Sequence, residues 1–388
     1  MTTPATADLN IFRESITAET PETVAERARV RDFLADALEQ GLMTPACDSW
    51  LSGHSPAFSR ELGRHGWIGM TWPACYGGRD ASTMTRFAVM EELLAAGAPV
   101  AAHWFSDRQI GPGLLRHGTE AQRQFFLPAL ARGDVFFCIG MSEPESGSDL
   151  GSIRTRATRT DTGWSITGAK IWTSHADKSQ FMLALVRTGV PGQKTTDALT
   201  QVIIDMSAPG ITVRPIEMLG GRTHFCEVTF DDVHVEDVMV LGAVGNGWRQ
   251  VLGELGFERS GPERFLSTFP MVDGLTGIGA NPARDADVGS LVARLSVLRA
   301  MSARISHHLD GPVAPGVAAA VVKDLGTTLE NDSIQIARRW LPTLTDAARR
   351  VQLSEHLHHA QTHAPGFTLR GGTNEIMRGI IAGALGVS

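Results

Sequence analysis

The sequence predicts an α+β protein in which two helical domains flank a β domain. Apolar residues recur three and four positions apart up to about residue 131 and again after Trp248, the spacing of helices that bury one face. The stretch between them carries short runs of β-branched and aromatic residues, separated by Gly, Pro and Asp turns. The order is therefore helices, sheet, helices, with domains predicted at residues 1–134, 135–241 and 242–388.

Composition excludes several classes of protein. With 388 residues, of which 43% are hydrophobic, the chain has ample material for a sizeable core. The formal net charge of -7 and the lack of a basic run argue against a nucleic-acid partner. Four scattered cysteines fit neither a disulfide framework nor paired metal ligands. No apolar run approaches the roughly 20 residues that span a bilayer, and the N-terminus lacks a signal-peptide pattern, so we expect a soluble, cytoplasmic protein.

The N-terminal domain is predicted to be helical from about Pro21 to Ala131. Apolar residues spaced from Val24 to Leu38 predict one helix, and the apolar stretch Phe87–Ala96 predicts another. Trp67–Gly78 contains a proline and paired glycines, so it predicts a loop between helices.

The other two domains follow from the change of period. The middle domain has strand-like runs at Gly163–Thr167, Phe181–Val186, Gln201–Ile204, Ile211–Arg214 and Cys226–Phe230. The C-terminal domain has helical periodicity over about Trp248–Phe269, Val288–Leu309, Val317–Trp340, Asp346–His363 and Asn374–Leu385.

Two segments of the middle domain are candidates for ligand contact. Phe137–Asp149 concentrates small residues, hydroxyls and turn formers, which let backbone N–H groups approach a partly anionic ligand. A polar interdomain loop explains that composition equally well. Gly168–Ala176 places Trp172 and two hydroxyls at a strand end, a suitable wall for a planar cofactor, although most Trp residues simply bury area.

The most informative segment is Gly371–Arg378, which reads Gly-Gly-Thr-Asn-Glu-Ile-Met-Arg. With the other elements in order, it makes nearly the whole chain resemble the acyl-CoA dehydrogenase family. Those elements are Trp67–Gly78, the Ser-Glu-Pro and Gly-Ser-Asp element at 142–149, Gly168–Trp172, Val228–Val235 and Gly247–Trp248.

The resemblance implies a fold and an activity. The middle domain would be an antiparallel β-barrel or sandwich, and the C-terminal domain a four-helix bundle. FAD would take a hydride at its N5 from Cβ of an acyl-CoA thioester while a carboxylate removes the α-proton, giving the trans-2-enoyl-CoA. An electron-transfer flavoprotein would then reoxidise the cofactor.

The resemblance also assigns residues to the cofactor and the substrate. Met141 and Ser142 would bond the isoalloxazine edge, Trp172 would stack near it, and Ser148 would touch both the pyrophosphate and the CoA side. The full set expected to contact the cofactor is Ile139, Met141, Ser142, Gly147, Ser148, Trp172, Thr173, Ser174, Thr373 and Glu375. The set expected to contact the substrate is Ser148, Phe257, Arg259 and Gly371.

The resemblance implies that the catalytic base lies at a different sequence position in this chain than in many family members. Many members carry it in Tyr-Glu-Gly-Thr, where this chain has Arg370-Gly371-Gly372-Thr373. Gly371 cannot be a base, but its N–H can donate to the thioester oxygen, and its lack of a side chain leaves room for a branched α-carbon. Branched-chain and long-chain members carry the glutamate within a Glu-Arg pair on an earlier helix, which implies Glu258 as base and Arg259 as its helper. Glu263 is the alternative, about 140° away around a continuous helix.

The chain also departs from the family. The motifs that bind the ADP half of FAD across a homotetramer interface are missing, so Arg284, Arg338, Arg339 or another subunit would hold it. A homodimer, a homotetramer and a heterotetramer with an unlike subunit all stay open; the last is known for relatives that act on bulky thioesters such as steroid CoA esters.

Three further alternatives stay open. The same scaffold supports a flavin oxidase or monooxygenase, and the chain could be a non-catalytic subunit that completes a partner's flavin site. Glu355, His359 and His363 have a helical spacing that can bind metal, but no further ligands are visible and no metal is expected.

Overall fold

The computed structural model describes residues 9–14, 18–190, 192–278, 280–308 and 316–387, and the side chains of residues 254–258 lie outside this description. The described helices are α1 (Pro21–Glu39), α2 (Ser49–Ser52), α3 (Pro56–Arg64), α4 (Thr83–Ala95), α5 (Ala101–Phe105), α6 (Gly111–His117), α7 (Glu120–Ala131), α8 (Thr195–Ala198), α9 (Gly247–Arg259), α10 (Phe269–Asp273), α11 (Pro282–His308), α12 (Gly316–Trp340), α13 (Ala347–Phe367) and α14 (Asn374–Leu385). None of them is long and apolar enough to cross a membrane.

The strands all lie between α7 and α9. They are β1 (Phe137–Gly140), β2 (Arg156–Thr160), β3 (Gly163–Ser174), β4 (Phe181–Arg187), β5 (Leu199–Asp205), β6 (Ile211–Ile216), β7 (Phe225–Val235) and β8 (Val240–Leu241). The predicted α+β class and its order of helices, sheet and helices are confirmed. The strand-like runs of the sequence predicted β3 to β7 but not β1, β2 and β8, which are short.

The chain divides into two compact units. The helical unit comprises Met1–Gly53, Ser82–Val100 and Leu255–Ser388, and the sheet unit comprises His54–Ala81 and Ala101–Glu254. The three domain boundaries drawn from the sequence stay a prediction.

The sheet unit has one sheet, in the order β6-β7-β3-β2-β4-β5-β8, with β1 paired to β4. Because β1 runs parallel to β4, with Phe137 opposite Phe181, the sheet is mixed rather than wholly antiparallel. Adjacent residues of β4 enter different apolar clusters: Met182 packs with Cys226 and Val228, while Leu183 packs with Phe137 and Leu127 of α7. Both faces of the central strands are therefore buried.

The helical unit is centred on α12, which packs against α11, α13 and α14. Thr20 caps α1, accepting a hydrogen bond from Thr23 N, and Pro21 occupies the first turn, where its missing N–H costs nothing. An apolar cluster that includes Met271, Ile334, Leu353 and Phe367 fills the space between α10, α12 and α13.

One predicted helix is wrong. The interval Trp248–Phe269 is not continuous, because α9 ends at Arg259 and is followed by a 3-10 turn at Pro262–Arg264 and then by α10. Gly261 and Pro262 explain the break: proline has no N–H to donate, and it disfavours the helical conformation in the residue before it.

Candidate active site

The candidate cofactor residues of the sheet unit begin at the end of β1. Ile139 lies in this strand, and the chain then leaves the sheet through Met141 and Ser142, all three of them partly exposed. Gly147 and Ser148 follow a tight turn and are exposed. The turn is closed by two backbone bonds between Glu143 and Ser146, of 2.8 and 3.0 Å.

A buried ion pair that the sequence reasoning missed holds this segment. Lys170 of β3 is fully buried, and its Nζ lies 2.8 Å from Glu143 Oε1 and 3.1 Å from Met141 O. Burial lowers the pKa of Lys170 to about 8, although Glu143 opposes that shift. The Glu143 carboxylate also accepts Thr155 N at 2.9 Å. The only sequence signal was a lysine within a half-buried strand, which alone does not name a partner.

A bulge in β3 turns Trp172 outward. The pairing of β3 with β7 slips between Lys170 and Thr173, and Trp172 has a φ of 59°. Its side chain is 52% exposed and meets Phe225 edge to face at 6.0 Å. Trp172 is thus not a core aromatic, and its indole is available to a planar ligand.

The two candidate segments converge beside this bulge. Ile171 N donates to Ser142 O at 2.9 Å, which ties the chain after β1 to the end of β3. Thr173 and Ser174 follow and are buried. The Thr173 hydroxyl has no hydrogen-bond partner among the described residues. A buried polar atom in this state fits a ligand that supplies the partner, so these residues suit a flavin edge.

The candidate residues of the helical unit lie on the loop between α13 and α14. Gly371 and Gly372 have φ angles of 68° and 89°, which L side chains rarely adopt. Thr373 caps α14, and its hydroxyl accepts from Ile376 N at 3.3 Å. Glu375 is exposed in the first turn of that helix. Glycine therefore suits the backbone conformation at both positions.

Arg259 connects the end of α9 to this loop. Its Nε donates to Gly371 O at 3.1 Å. Phe257 and Glu258 precede it on α9, but their side chains lie outside the described residues. The Glu-Arg pair of the sequence is thereby linked to Gly371 through its arginine.

Glu263 does not lie where the sequence placed it. It belongs to the 3-10 turn after α9, so its position cannot be obtained by counting around one helix from Glu258. Its side chain is fully buried, and its Oε1 lies 3.5 Å from Arg264 Nε. Glu263 therefore cannot be dismissed as a base on the grounds of helical phase.

A guanidinium lies where a side chain of residue 371 would begin. A Cβ built on Gly371 would lie 2.6 Å from an Nη of Arg264, whose side chain is 1% exposed. The missing side chain thus makes room for a guanidinium of the protein itself, and room for a branched α-carbon of a ligand stays a prediction. Sequence reasoning did not single out Arg264, because an arginine after a glutamate is typical of a solvated surface.

Buried Asp48 and buried Lys323 anchor the two ends of the loop. Arg370 pairs with Asp48 at 2.6 Å, and Asp48 also bonds His363 Nδ1 at 2.8 Å. Lys323 Nζ lies 2.6 Å from Asn374 Oδ1, at the far end of the loop. His363 thus has a structural partner, and among the described residues no group of three or more His, Cys, Asp or Glu could hold a metal ion.

The arginines considered for the ADP half of the cofactor are engaged within the helical unit. The Arg284 guanidinium bonds Ile278 O and is buried at the start of α11. Arg339 pairs with Asp287 at 2.9 Å, and Arg338 bonds Gln335 at 3.2 Å. Arg284 is therefore the least accessible of the three to a ligand.

Comparison with known proteins decides the family. The model of the acyl-CoA dehydrogenase N-terminal domain matches residues 20–134, and that of the acyl-CoA dehydrogenase middle domain matches residues 138–233. The chain belongs to the acyl-CoA dehydrogenase family. Members of this family are flavoprotein oxidoreductases.

Individual relatives agree. Acyl-CoA dehydrogenase IpdE1 of Mycobacterium tuberculosis is 37% identical over 239 residues, which are 60% of this chain and 62% of the relative. The match thus spans less than two thirds of that relative. The Tcur3481-Tcur3483 steroid ACAD has a TM-score of 0.82 at 25% identity, covering 96% of this chain and 99% of that chain. The ChsE4-ChsE5 complex from Mycobacterium tuberculosis has a TM-score of 0.79 at 27% identity, covering 96% and 100%. The acyl-CoA dehydrogenase fold is confirmed.

Proposed function

We propose that this chain binds FAD and dehydrogenates an acyl-CoA thioester between its α and β carbons, giving the trans-2-enoyl-CoA. The observation that carries the proposal is the convergence of Ser142 with Trp172 and Thr173 in the sheet unit, fixed by the bond from Ile171 N to Ser142 O. An outward indole beside a buried hydroxyl that lacks a described partner suits a planar, hydrogen-bonding cofactor.

The cofactor would be held mainly by backbone and hydroxyl groups. Met141 and Ser142 would meet the isoalloxazine edge, Trp172 would cover its face, and Thr173 and Ser174 would bond its rim. Further cofactor contacts are proposed for Ile139, Gly147, Ser148, Thr373 and Glu375. When bound, the flavin supplies the acceptor for the hydride that leaves Cβ.

The reacting thioester would be oriented by the loop before α14. The Gly371 N–H would donate to the thioester carbonyl, and Arg259, which bonds Gly371 O at 3.1 Å, would help to hold the loop that presents it. Phe257 and Ser148 are proposed further contacts of the substrate. Glu258 is proposed to remove the α-proton, the task that the family resemblance assigns to the Glu-Arg pair.

The base assignment is tested by two matched variants. Glu258→Gln is expected to lose several orders of magnitude in flavin reduction by acyl-CoA while keeping the bound flavin spectrum. Glu263→Gln removes the same charge five residues further on and is expected to keep turnover within about tenfold. The reverse pattern would move the base to Glu263, and near-normal turnover in both variants would exclude catalysis by either.

Substrate and assembly are proposed from the relatives. Bulky or branched acyl-CoA thioesters, including steroid CoA esters, are the favoured substrates because the solved relatives include a steroid ACAD. A heteromeric assembly is favoured over a homo-oligomer because the ChsE4-ChsE5 complex pairs two different chains. An electron-transfer flavoprotein is the proposed electron acceptor.

A thioester panel with an artificial electron acceptor tests these points together, run with and without candidate partner chains. Full FAD occupancy and turnover by this chain alone would exclude an obligate unlike partner. Peroxide formed in air at the rate of turnover would indicate an oxidase instead. Unchanged activity of a reconstituted complex carrying Glu258→Gln and Glu263→Gln together would indicate a non-catalytic subunit.

A further inference from the structure

The two glycines of the loop before α14 each have a guanidinium where a side chain would begin. A Cβ on Gly371 would lie 2.6 Å from an Nη of Arg264, and a Cβ on Gly372 would lie 3.2 Å from an Nη of Arg259. Both glycines are partly exposed, although each has a cation beside it. Arg259 also bonds Gly371 O, whereas Arg264 meets the loop at the Gly371 Cα.

Arg264 and Glu263 form an oriented pair. The Glu263 carboxyl carbon lies against Gly261, 2.9 Å from where a Cβ would be, while the Arg264 guanidinium lies against Gly371. The pair thus points its positive end at the loop and its negative end away from it. The backbone carbonyl of Arg264 packs on Gly326 of α12, where a Cβ would collide with it, so the turn is fixed against the helix.

The surroundings strengthen the field of this pair. Both side chains are buried, and Arg264 Cζ lies 5.5 Å from the centre of the Trp50 ring, so little water screens the charges. Two other cations of the described residues lie near the loop: Arg370 pairs with Asp48, and Lys323 bonds Asn374. Arg264 is the buried cation packed on the Gly371 Cα.

We propose that Glu263 and Arg264 are positioning residues whose oriented charges stabilise an oxygen anion held at the Gly371 N–H. This rests on the proposed dehydrogenation. In that reaction the α C–H bond breaks, its proton passes to the base, and its electron pair becomes the enolate double bond as the carbonyl π pair moves to oxygen. A cation behind Gly371 lowers the energy of that oxygen anion.

The test uses a 3-thiaacyl-CoA labelled with carbon-13 at the thioester carbonyl. Sulfur at C3 acidifies the α-position, so the bound probe can ionise to an enolate, and the label reports its pKa in the holoprotein by NMR as the pH is varied. One unit charge at about 6 Å in an effective dielectric of about 20 changes the ionisation constant about 10- to 100-fold. Arg264→Met is therefore expected to reduce the constant by about that factor.

The direction in which each variant changes the ionisation constant separates an electrostatic effect from structural damage. Glu263→Gln removes the negative end and is expected to increase the ionisation constant, whereas damage to the loop would reduce it in both variants. Arg264→Lys keeps the charge and is expected to keep most of the effect. Arg378→Met is the matched control. Arg378 lies on the exposed surface of α14 and pairs with Asp324 of α12, so its substitution should leave the ionisation constant unchanged.

The outcomes distinguish this inference from the proposed function. If the wild-type protein does not bind and ionise the probe, the proposed function fails, and the inference with it. If the wild type ionises the probe but Arg264→Met leaves the constant unchanged, or Glu263→Gln reduces it, the inference alone is overturned. An Arg264→Met protein that does not fold leaves the sign of Glu263→Gln to decide.

Discussion

Gly371→Ala tests the close approach of Arg264 directly. Alanine must adopt a φ near 68°, which costs about 1–2 kcal/mol for an L-residue. Its Cβ would also lie 2.6 Å from an Arg264 Nη, and the buried guanidinium has little freedom to retreat. Overpacking of this kind costs about 1–3 kcal/mol. We expect Gly371→Ala to lower the free energy of unfolding by about 2–5 kcal/mol.

Gly386→Ala supplies the matched control. Gly386 ends α14 with a φ of 71°, yet a Cβ there would have nothing within 4 Å. Only the backbone term of about 1–2 kcal/mol applies at that position. Both variants are compared by chemical denaturation at one pH and one salt concentration. Equal losses would refute the contact between Arg264 and Gly371, because the difference between the two variants isolates it.

Three further predictions concern buried charges, each measured by denaturation. Lys170→Met strands the Glu143 carboxylate and should cost about 3–5 kcal/mol, most of it recovered by adding Glu143→Gln. Burial raises the pKa of Glu330 to about 7 from 4.5, so the native state holds a proton that the unfolded chain releases. The free energy of unfolding should therefore fall by up to about 3 kcal/mol as the pH rises from 4.5 to 7. Glu330→Gln should abolish this dependence on pH. Asp48→Asn keeps a residue type that tolerates the φ of 54° but removes the charge facing Arg370, so it should lower the free energy of unfolding by about 3–5 kcal/mol. The control Asp36→Asn, at an exposed position, should change it by less than about 0.5 kcal/mol.

The sequence predicted the elements whose pattern is local. Helical spacing located α1 and α12 closely, and alternation located β7, because each buries one face along its length. The prediction of one helix over Trp248–Phe269 was wrong because the apolar spacing continues through a Gly-Pro pair that ends the helix. Short β1 has only four residues, too few to show an alternation of buried and exposed positions, yet its pairing with β4 places Met141 and Ser142.

The buried ion pairs could not be predicted, for a different reason. Lys170 and Glu143 are 27 residues apart, and Asp48 and Arg370 are 322 apart. Periodicity assigns charged residues to the surface, and only the tertiary fold brings an opposite charge close enough to offset desolvation. Gly371 and Thr373, taken from a motif, lie directly before α14, and their roles stay predictions; the charged groups that surround them were not predicted.

The absence of a glutamate at position 371 follows from the packing rather than from a loss of chemistry. A carboxylate introduced there would lie against the Arg264 guanidinium, since even the first side-chain atom would be 2.6 Å from it. An adjacent cation lowers the pKa of a carboxyl group and so weakens it as a base. The same cation favours an oxygen anion at the loop. Under the proposed function, the charge that would suit Gly371 to hold the thioester oxygen would make its position unsuitable for the proton acceptor, so another segment would supply that group, as Glu258 would.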